Sequence, residues 1–200
     1  MPHDSNLTLS PIDQCFHWLV RKRVAISAVV FTSIIASSVL RGAKPRQFAQ
    51  GHDFTTLVAM AALLIGLSTR SWAAGTLVKN KVLTTTGPYR LVRNPLYAGS
   101  FLMMVGVCGL LDKPLYPFAM VAVILAIYAL TIRSEERGLS KRFGAAWNDY
   151  AGRTPRYMPR SIRIDFSDWR LSQWVKNREV APVLATLFAL AAIELWEHLR

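Results

Sequence analysis

Charge is scarce in this chain, and acid scarcer still. Only 18% of its 200 residues are charged, where a soluble domain carries about a quarter, and 12 Asp and Glu face 24 Lys and Arg. With 52% hydrophobic residues, something other than water must solvate much of the surface. Cysteine is nearly absent: Cys108 lies inside an apolar run and Cys15 ahead of the first one, which indicates neither a disulfide framework nor a Cys/His zinc site. Histidine is equally sparse. His3, His17, His52 and His198 are scattered among interfacial and tail positions, so no cluster points to zinc or di-iron chemistry and no metal is expected. No G-x-G-x-x-G follows a strand pattern, which excludes the soluble nucleotide-binding fold. The first twenty residues lack the apolar stretch of a signal peptide, because Asp4, Asp13 and other polar residues interrupt it, and the first apolar run is expected to stay as a membrane helix.

What is present is a series of apolar runs, at 24–40, 54–69, 95–111, 115–132 and 180–196, without a charge except Glu194 near the end of the last. Each is near the lower limit for a bilayer-crossing helix, roughly 17–25 residues, and the second gains length from Ser71, Trp72 and Ala73. The pattern predicts an all-α integral membrane bundle of about five transmembrane helices. Asp112, Lys113 and Pro114 leave room only for a tight turn, so the third and fourth runs read as an antiparallel hairpin. With five crossings, Arg21, Lys22, Arg23 and the loops 70–94 and 133–179 fall on one side with 19 basic residues, against 5 on the other. The positive-inside rule then places the N-terminus and both large loops in the cytoplasm. The net charge of +12 does not call for nucleic acid, because basic residues in loops meet anionic headgroups, worth about 1 kcal/mol each. Trp169 and Trp174, among Arg170, Lys176 and Arg178, suit an amphipathic segment lying in the headgroup region.

Nearly all residues that could do chemistry lie in those two loops. The first holds Gly87-Pro88-Tyr89-Arg90-Leu91-Val92-Arg93-Asn94-Pro95-Leu96-Tyr97-Ala98-Gly99. Here a Gly-Pro turn is followed by two arginines three apart and by a proline where a helix can start. Arg90 and Arg93 suit a carboxylate or phosphate, which guanidinium pairs bidentately, and a loop anchored to headgroups would carry the same arginines. The second runs from Glu135 to Tyr150 and is followed by Pro155 and Pro159. On a continuous helix Glu136, Leu139, Phe143, Trp147 and Tyr150 share one face. The aromatics read as a core stripe. An acid such as Glu136 on that face wants a cationic partner or a ligand.

The pair G-P-Y-R-x-x-R-N-P-x-Y-x-G and E-E-x-x-L-x-x-x-F-G-x-x-W-x-x-Y, in that order around a helical hairpin, resembles the isoprenylcysteine carboxyl methyltransferase and phospholipid methyltransferase superfamily. The match covers roughly residues 83–159. The resemblance implies S-adenosylmethionine as cofactor, held at the cytoplasmic face by loops and helix ends. It places Tyr89, Arg90, Arg93, Pro95, Tyr97 and Gly99 along one wall, and Glu135, Glu136, Phe143, Gly144, Tyr150 and Pro159 along the other. Arg93, Asn94 and Glu136 become the catalytic candidates, although Asn94 stands where the family usually has His and cannot act as an acid or base. The chain then reads as one membrane domain in three parts. Residues 1–82 form a tail and two transmembrane helices, 83–160 the methyltransferase-like core, and 161–200 an interfacial segment and a last transmembrane helix.

Methyl transfer from a sulfonium needs alignment and exclusion of water more than a protein nucleophile, which suits a site without one. Glu135 or Glu136 would meet the cofactor's ammonium or ribose hydroxyls and Arg93 its carboxylate. Tyr97 and Tyr150 would pack on the adenine or the sulfonium. The acceptor, a lipophilic carboxylate such as a prenylcysteine or a lipid amine, would enter from the bilayer, so membrane lipids are the expected partners. Two other readings share part of the pattern: an NADPH-dependent sterol or steroid reductase, and a non-catalytic lipid-binding relative in which Asn94 marks a decayed site.

Overall fold

The computed structural model describes residues 53–79, 81–112, 115–161 and 164–198, with 29, 32, 33, 36, 37, 40–42 and 44. Among the described residues every regular element is helical. Helix α1 spans Phe54–Thr76, α2 Pro95–Gly109, α3 Leu115–Phe143, α4 Ala145–Arg153, α5 Leu171–Lys176 and α6 Val180–His198, and a 3₁₀ turn occupies Gly87–Arg90.

Helix α1 opens on Asp53, whose carboxylate accepts from the Thr55 N–H at 3.2 Å and so satisfies a donor the helix cannot. It runs seven residues past the apolar stretch that announces it. Among the described residues α1 is the one helix long and apolar enough to cross a membrane, whereas α2 and the apolar part of α6 (180–192) are shorter. At 1.5 Å per residue α2 reaches about 23 Å, less than the roughly 30 Å of a hydrocarbon core. Helix α3 has ample length, but its last third carries Arg133, Glu135, Glu136 and Arg137. The apolar run at 24–40 falls largely outside the described residues.

Helices α1 and α2 pack at backbone distance. A Cβ on Gly66 would lie 2.7 Å from the Gly99 carbonyl, and one on Gly106 2.7 Å from the Ala59 carbonyl. Small residues at such a contact let dispersion forces hold helices that gain nothing from hiding apolar surface in lipid. Leu63 and Leu110 fill the space beside it, with Leu190 of α6 against them. Met104 and Cys108 of α2 meet Val121 and Ile124 of α3 in a second cluster, confirming the hairpin.

Two ends of the bundle are tied separately. At one, the Lys44 N–H donates to the Asp112 carboxylate at 2.6 Å and the Asp112 N–H to the Lys44 carbonyl at 2.9 Å, joining the segment after the first apolar run to the hairpin turn. At the other, residues 164–179 clasp the last turns of α1. The Trp169 indole donates to the Ser71 carbonyl, and carbonyls of the last turn that lack a helical partner receive the Arg170 N–H at Gly75 and the Asn177 amide at Ala74, which also donates to Leu77 just beyond the helix. Trp72 donates in return to the Asp165 carbonyl at 3.1 Å. The Trp-containing segment is therefore bonded to the bundle, while Leu171 and Val175 face outward.

Candidate active site

The cytoplasm-facing end expected from the charge distribution collects both motifs. Gly87, with φ of +56°, turns the loop onto α1 as the first residue of the 3₁₀ turn, a conformation that favours glycine. Pro95 then starts α2, where its missing N–H costs nothing. Across from it, α3 carries the two glutamates one turn beyond its apolar half. Gly144, again at positive φ (+52°), ends α3 and sets α4 at a new angle. The single helical face expected to run from Glu136 to Tyr150 is thus divided. Trp147 and Tyr150 are buried on α4, and Glu136 on α3.

Glu136, 7% exposed, is the hub. Its carboxylate accepts from Arg156 (Nη2 at 2.7 Å, Nε at 3.0 Å) and from the Asn94 amide at 3.1 Å. Arg93 Nη1 stands 3.6 Å away. The carboxylate therefore has the cationic partners that its burial demands, and Asn94 serves it as a donor. Its neighbour Glu135 accepts from the Tyr97 hydroxyl at 3.1 Å, and Tyr97 meets Tyr128 edge to face at 5.0 Å.

Arg93 bridges the loop and α4. Its N–H donates to the Pro155 carbonyl at 2.9 Å and its guanidinium lies 6.0 Å from the Trp147 ring centre. That guanidinium makes no hydrogen bond to the described residues, and its Nε is buried. Tyr150 donates to the Tyr89 carbonyl at 2.7 Å, while the Tyr89 hydroxyl is buried without a partner among the described residues. Burial first, aided by Tyr150 and Glu135 at Tyr89 and, against the opposing Arg93, by Glu136 at Tyr150, holds both phenols above the ordinary tyrosine range. Both stay protonated at any physiological pH.

An open cleft of roughly 650 Å³ lies over these residues. Arg93, Glu136 and Trp147 line it with Arg156, Arg133, Arg137, Ser140 and Leu130. The residues expected at the site divide into three groups. Arg93, Asn94, Glu136, Tyr150 and Tyr89 meet in one network, with Tyr97 and Glu135 beside it. Arg90 is exposed on the rim of the 3₁₀ turn, and Pro159 is exposed as well. Gly99 sits in the α1–α2 contact, where an added Cβ would meet Arg70 Cγ and the Gly66 carbonyl, each at 2.7 Å.

Arg156, Arg133 and Arg137 were not legible as site residues, being three of eleven basic residues in one loop. A buried pair was also missed. Arg70, in the last turns of α1, holds Glu179 through Nε and Nη2 at 2.8 and 2.9 Å and also donates to Ser100. Glu179 is 1% exposed, and its place at the head of an apolar run was the available signal. Among the described residues no group of three or more His, Cys, Asp or Glu side chains is placed to hold a metal ion.

A site of arginine, glutamate and aromatic side chains at the end of a helical hairpin has a counterpart among known families. Residues 54–146 match the phospholipid methyltransferase family. The nickel-cobalt-cadmium resistance protein NccN of Alcaligenes xylosoxydans xylosoxydans is 33% identical over 156 residues, 76% of this chain and 70% of that protein. The cobalt-zinc-cadmium resistance protein CzcN of Cupriavidus metallidurans is 32% identical over 178 residues, 82% and 77% of the two chains. Protein-S-isoprenylcysteine O-methyltransferase B of Arabidopsis thaliana is 28% identical over 134 residues, 67% and 59%. No solved structure matches the chain. The chain belongs to the isoprenylcysteine carboxyl methyltransferase and phospholipid methyltransferase superfamily, a membrane-associated group of methyltransferases.

Proposed function

We propose that this chain is a multi-pass membrane enzyme that transfers a methyl group from S-adenosylmethionine to a lipophilic acceptor at the cytoplasmic face. The observation that carries the reading is Arg93. Its guanidinium is largely buried in the cleft wall, in ion-pair range of Glu136 and beside Trp147, with Nε buried and without a hydrogen-bond partner among the described residues. A buried donor without an acceptor is costly unless a ligand supplies one. A carboxylate fits the planar fork, and Trp147, in the cleft lining, offers aromatic surface to a cationic or flat group.

S-adenosylmethionine would supply a methyl carbon already activated by its sulfonium. The protein's part is placement. Glu136 holds Arg156 and Asn94 and stands beside Arg93, so its role is to fix the cleft's donors. Glu135 and Tyr97 form a second fixed pair alongside. The unexposed faces of Trp147 and Tyr150 keep water from the floor of the site.

Two ties support the sidedness. The Lys44–Asp112 pair joins the two segments assigned to the outer face, and the contacts of Arg93 with Pro155 and of Arg70 with Glu179 join the loops assigned to the cytoplasm. The test is equilibrium binding of labelled S-adenosylmethionine, with NADPH in parallel, to protein purified in detergent, followed by methyl transfer into total membrane lipid. Saturable binding of the first and labelled product support the proposal. Binding of NADPH alone selects the reductase reading, and binding of neither the non-catalytic one. Arg93→Lys keeps charge but loses the fork, and should weaken cofactor binding about tenfold, roughly 1.4 kcal/mol.

A further inference from the structure

The cleft holds more positive charge than the proposed cofactor can answer. Four guanidiniums and one carboxylate line it. Glu136 balances Arg156, with which it shares a hydrogen-bonded pair. Arg93 would be answered by the single carboxylate of S-adenosylmethionine. Arg133 and Arg137 remain. They stand one helical turn apart on α3, where like charges repel, and among the described residues neither has a carboxylate within ion-pair distance. Beyond the helix's own backbone ladder, Arg137 Nε donates to the Arg133 carbonyl at 3.4 Å, a contact that answers no charge. The cofactor itself, with a sulfonium and an ammonium against one carboxylate, is a net cation. Such a ligand is disfavoured in a cleft of surplus positive charge unless an anion accompanies it.

Geometry indicates where that anion belongs. Leu130, Arg133, Arg137 and Ser140 follow one another along a single face of α3, from its apolar half to its charged end. Leu130 is half-exposed at the apolar limit of the cleft. An amphiphile lying along this face would set its tail against Leu130 and its head between the two arginines, with the Ser140 hydroxyl one turn further on. We infer that Arg133 and Arg137 form an anion subsite that holds the carboxylate or phosphate of the methyl acceptor. The inference rests on the methyltransferase reading and adds to it a requirement: the acceptor carries an anionic group, whichever of its atoms is methylated. Arginines that served only as headgroup anchors would have no need to line a cleft beside Glu136 and Trp147.

The test uses the full chain in neutral detergent and four probes of equal chain length, octyl phosphate, octanoate, octanol and octyltrimethylammonium, titrated by calorimetry. The first two should saturate a single site at least about tenfold more tightly than the others, and their ratio tells phosphate from carboxylate. Arg133→Gln with Arg137→Gln should remove that preference, while S-adenosylmethionine binding on the same preparation changes by less than about threefold. The corresponding double Lys variant, which keeps the charge, should retain most of the anion binding and shows that the Gln variant fails for want of charge. Charge-indifferent binding by the parent, or non-saturating uptake at many weak sites, overturns the subsite. Equal loss of anion and cofactor binding in the Gln variant overturns it also, and makes the pair part of a cofactor clamp. A parent that binds the anions but no S-adenosylmethionine overturns the methyltransferase reading and the acceptor role with it.

Discussion

Replacing Glu136 by Gln tests whether the site is organised around one buried charge. The substitution keeps shape but turns half of an acceptor into a donor, which then faces Arg156 and Arg93. Removing one partner of a buried ion pair costs about 3–5 kcal/mol. Arg156 is about one-third exposed and can turn toward water, so the lower end, about 3 kcal/mol, is the appropriate figure. For a chain of this size that corresponds to a fall in melting temperature of about 6–12 °C, read by thermal unfolding in detergent. Arg156→Gln in the parent should cost less, and in the Glu136→Gln background little more, since the charge it answers is already gone. Such a cycle isolates the coupling of the pair. If Glu136→Gln melts with the parent, or the two losses simply add, the carboxylate is not the hub and the account of Arg93 as a donor held in reserve loses its support.

Other consequences are independent of that cycle. Glu179→Gln should destabilise by about 3 kcal/mol, because it leaves the largely buried Arg70 with Ser100 but no counter-charge, and should make the 164–179 segment susceptible to limited proteolysis. Gly99→Ala should destabilise markedly, since its Cβ would strike backbone across α1, whereas Gly138→Ala, with nothing within 4 Å, should stabilise α3 by up to about 1 kcal/mol; both are read by thermal unfolding. Tyr89 and Tyr150 hold their protons more tightly folded than unfolded, so their contribution is whole below about pH 10 and is lost as pH rises beyond it; melting temperature should be flat from about pH 7 to 9 and fall above 10, less steeply in Tyr150→Phe. Single cysteines at Thr85 and Asn148, both exposed, in a chain without Cys15 and Cys108, should resist an impermeant thiol reagent on intact cells; rapid labelling would reverse the orientation.

Long apolar runs made the helices legible, because a helix in or against lipid announces itself by composition. Their ends were not. α1 continues to Thr76 through Arg70, whose charge is answered by a residue far along the chain. The break at Gly144 was hidden because a glycine inside a helical pattern reads equally as a tolerated weak point. Both motifs were visible as residue spacings, and their meeting was implied by the hairpin. What the spacings could not carry is the pairing: Glu136 asked for a cation, and eleven basic residues in the following loop were equal candidates until the fold brought Arg156 to it. Gly99 shows the opposite case, a motif position whose structural duty is helix contact.

The ion pair between Arg70 and Glu179 joins residues 109 positions apart. During synthesis Arg70 emerges, and α1 is settled, long before Glu179 exists. The last turns of α1 must then wait at the membrane surface with an uncompensated guanidinium and open carbonyls. Only when the C-terminal helix is made does the clasp close. Closure of the clasp is therefore a late event for the nascent chain, and a chain cut short before residue 164 would keep Arg93, Glu136 and Arg156 but lose the bonds that hold the last turns of α1.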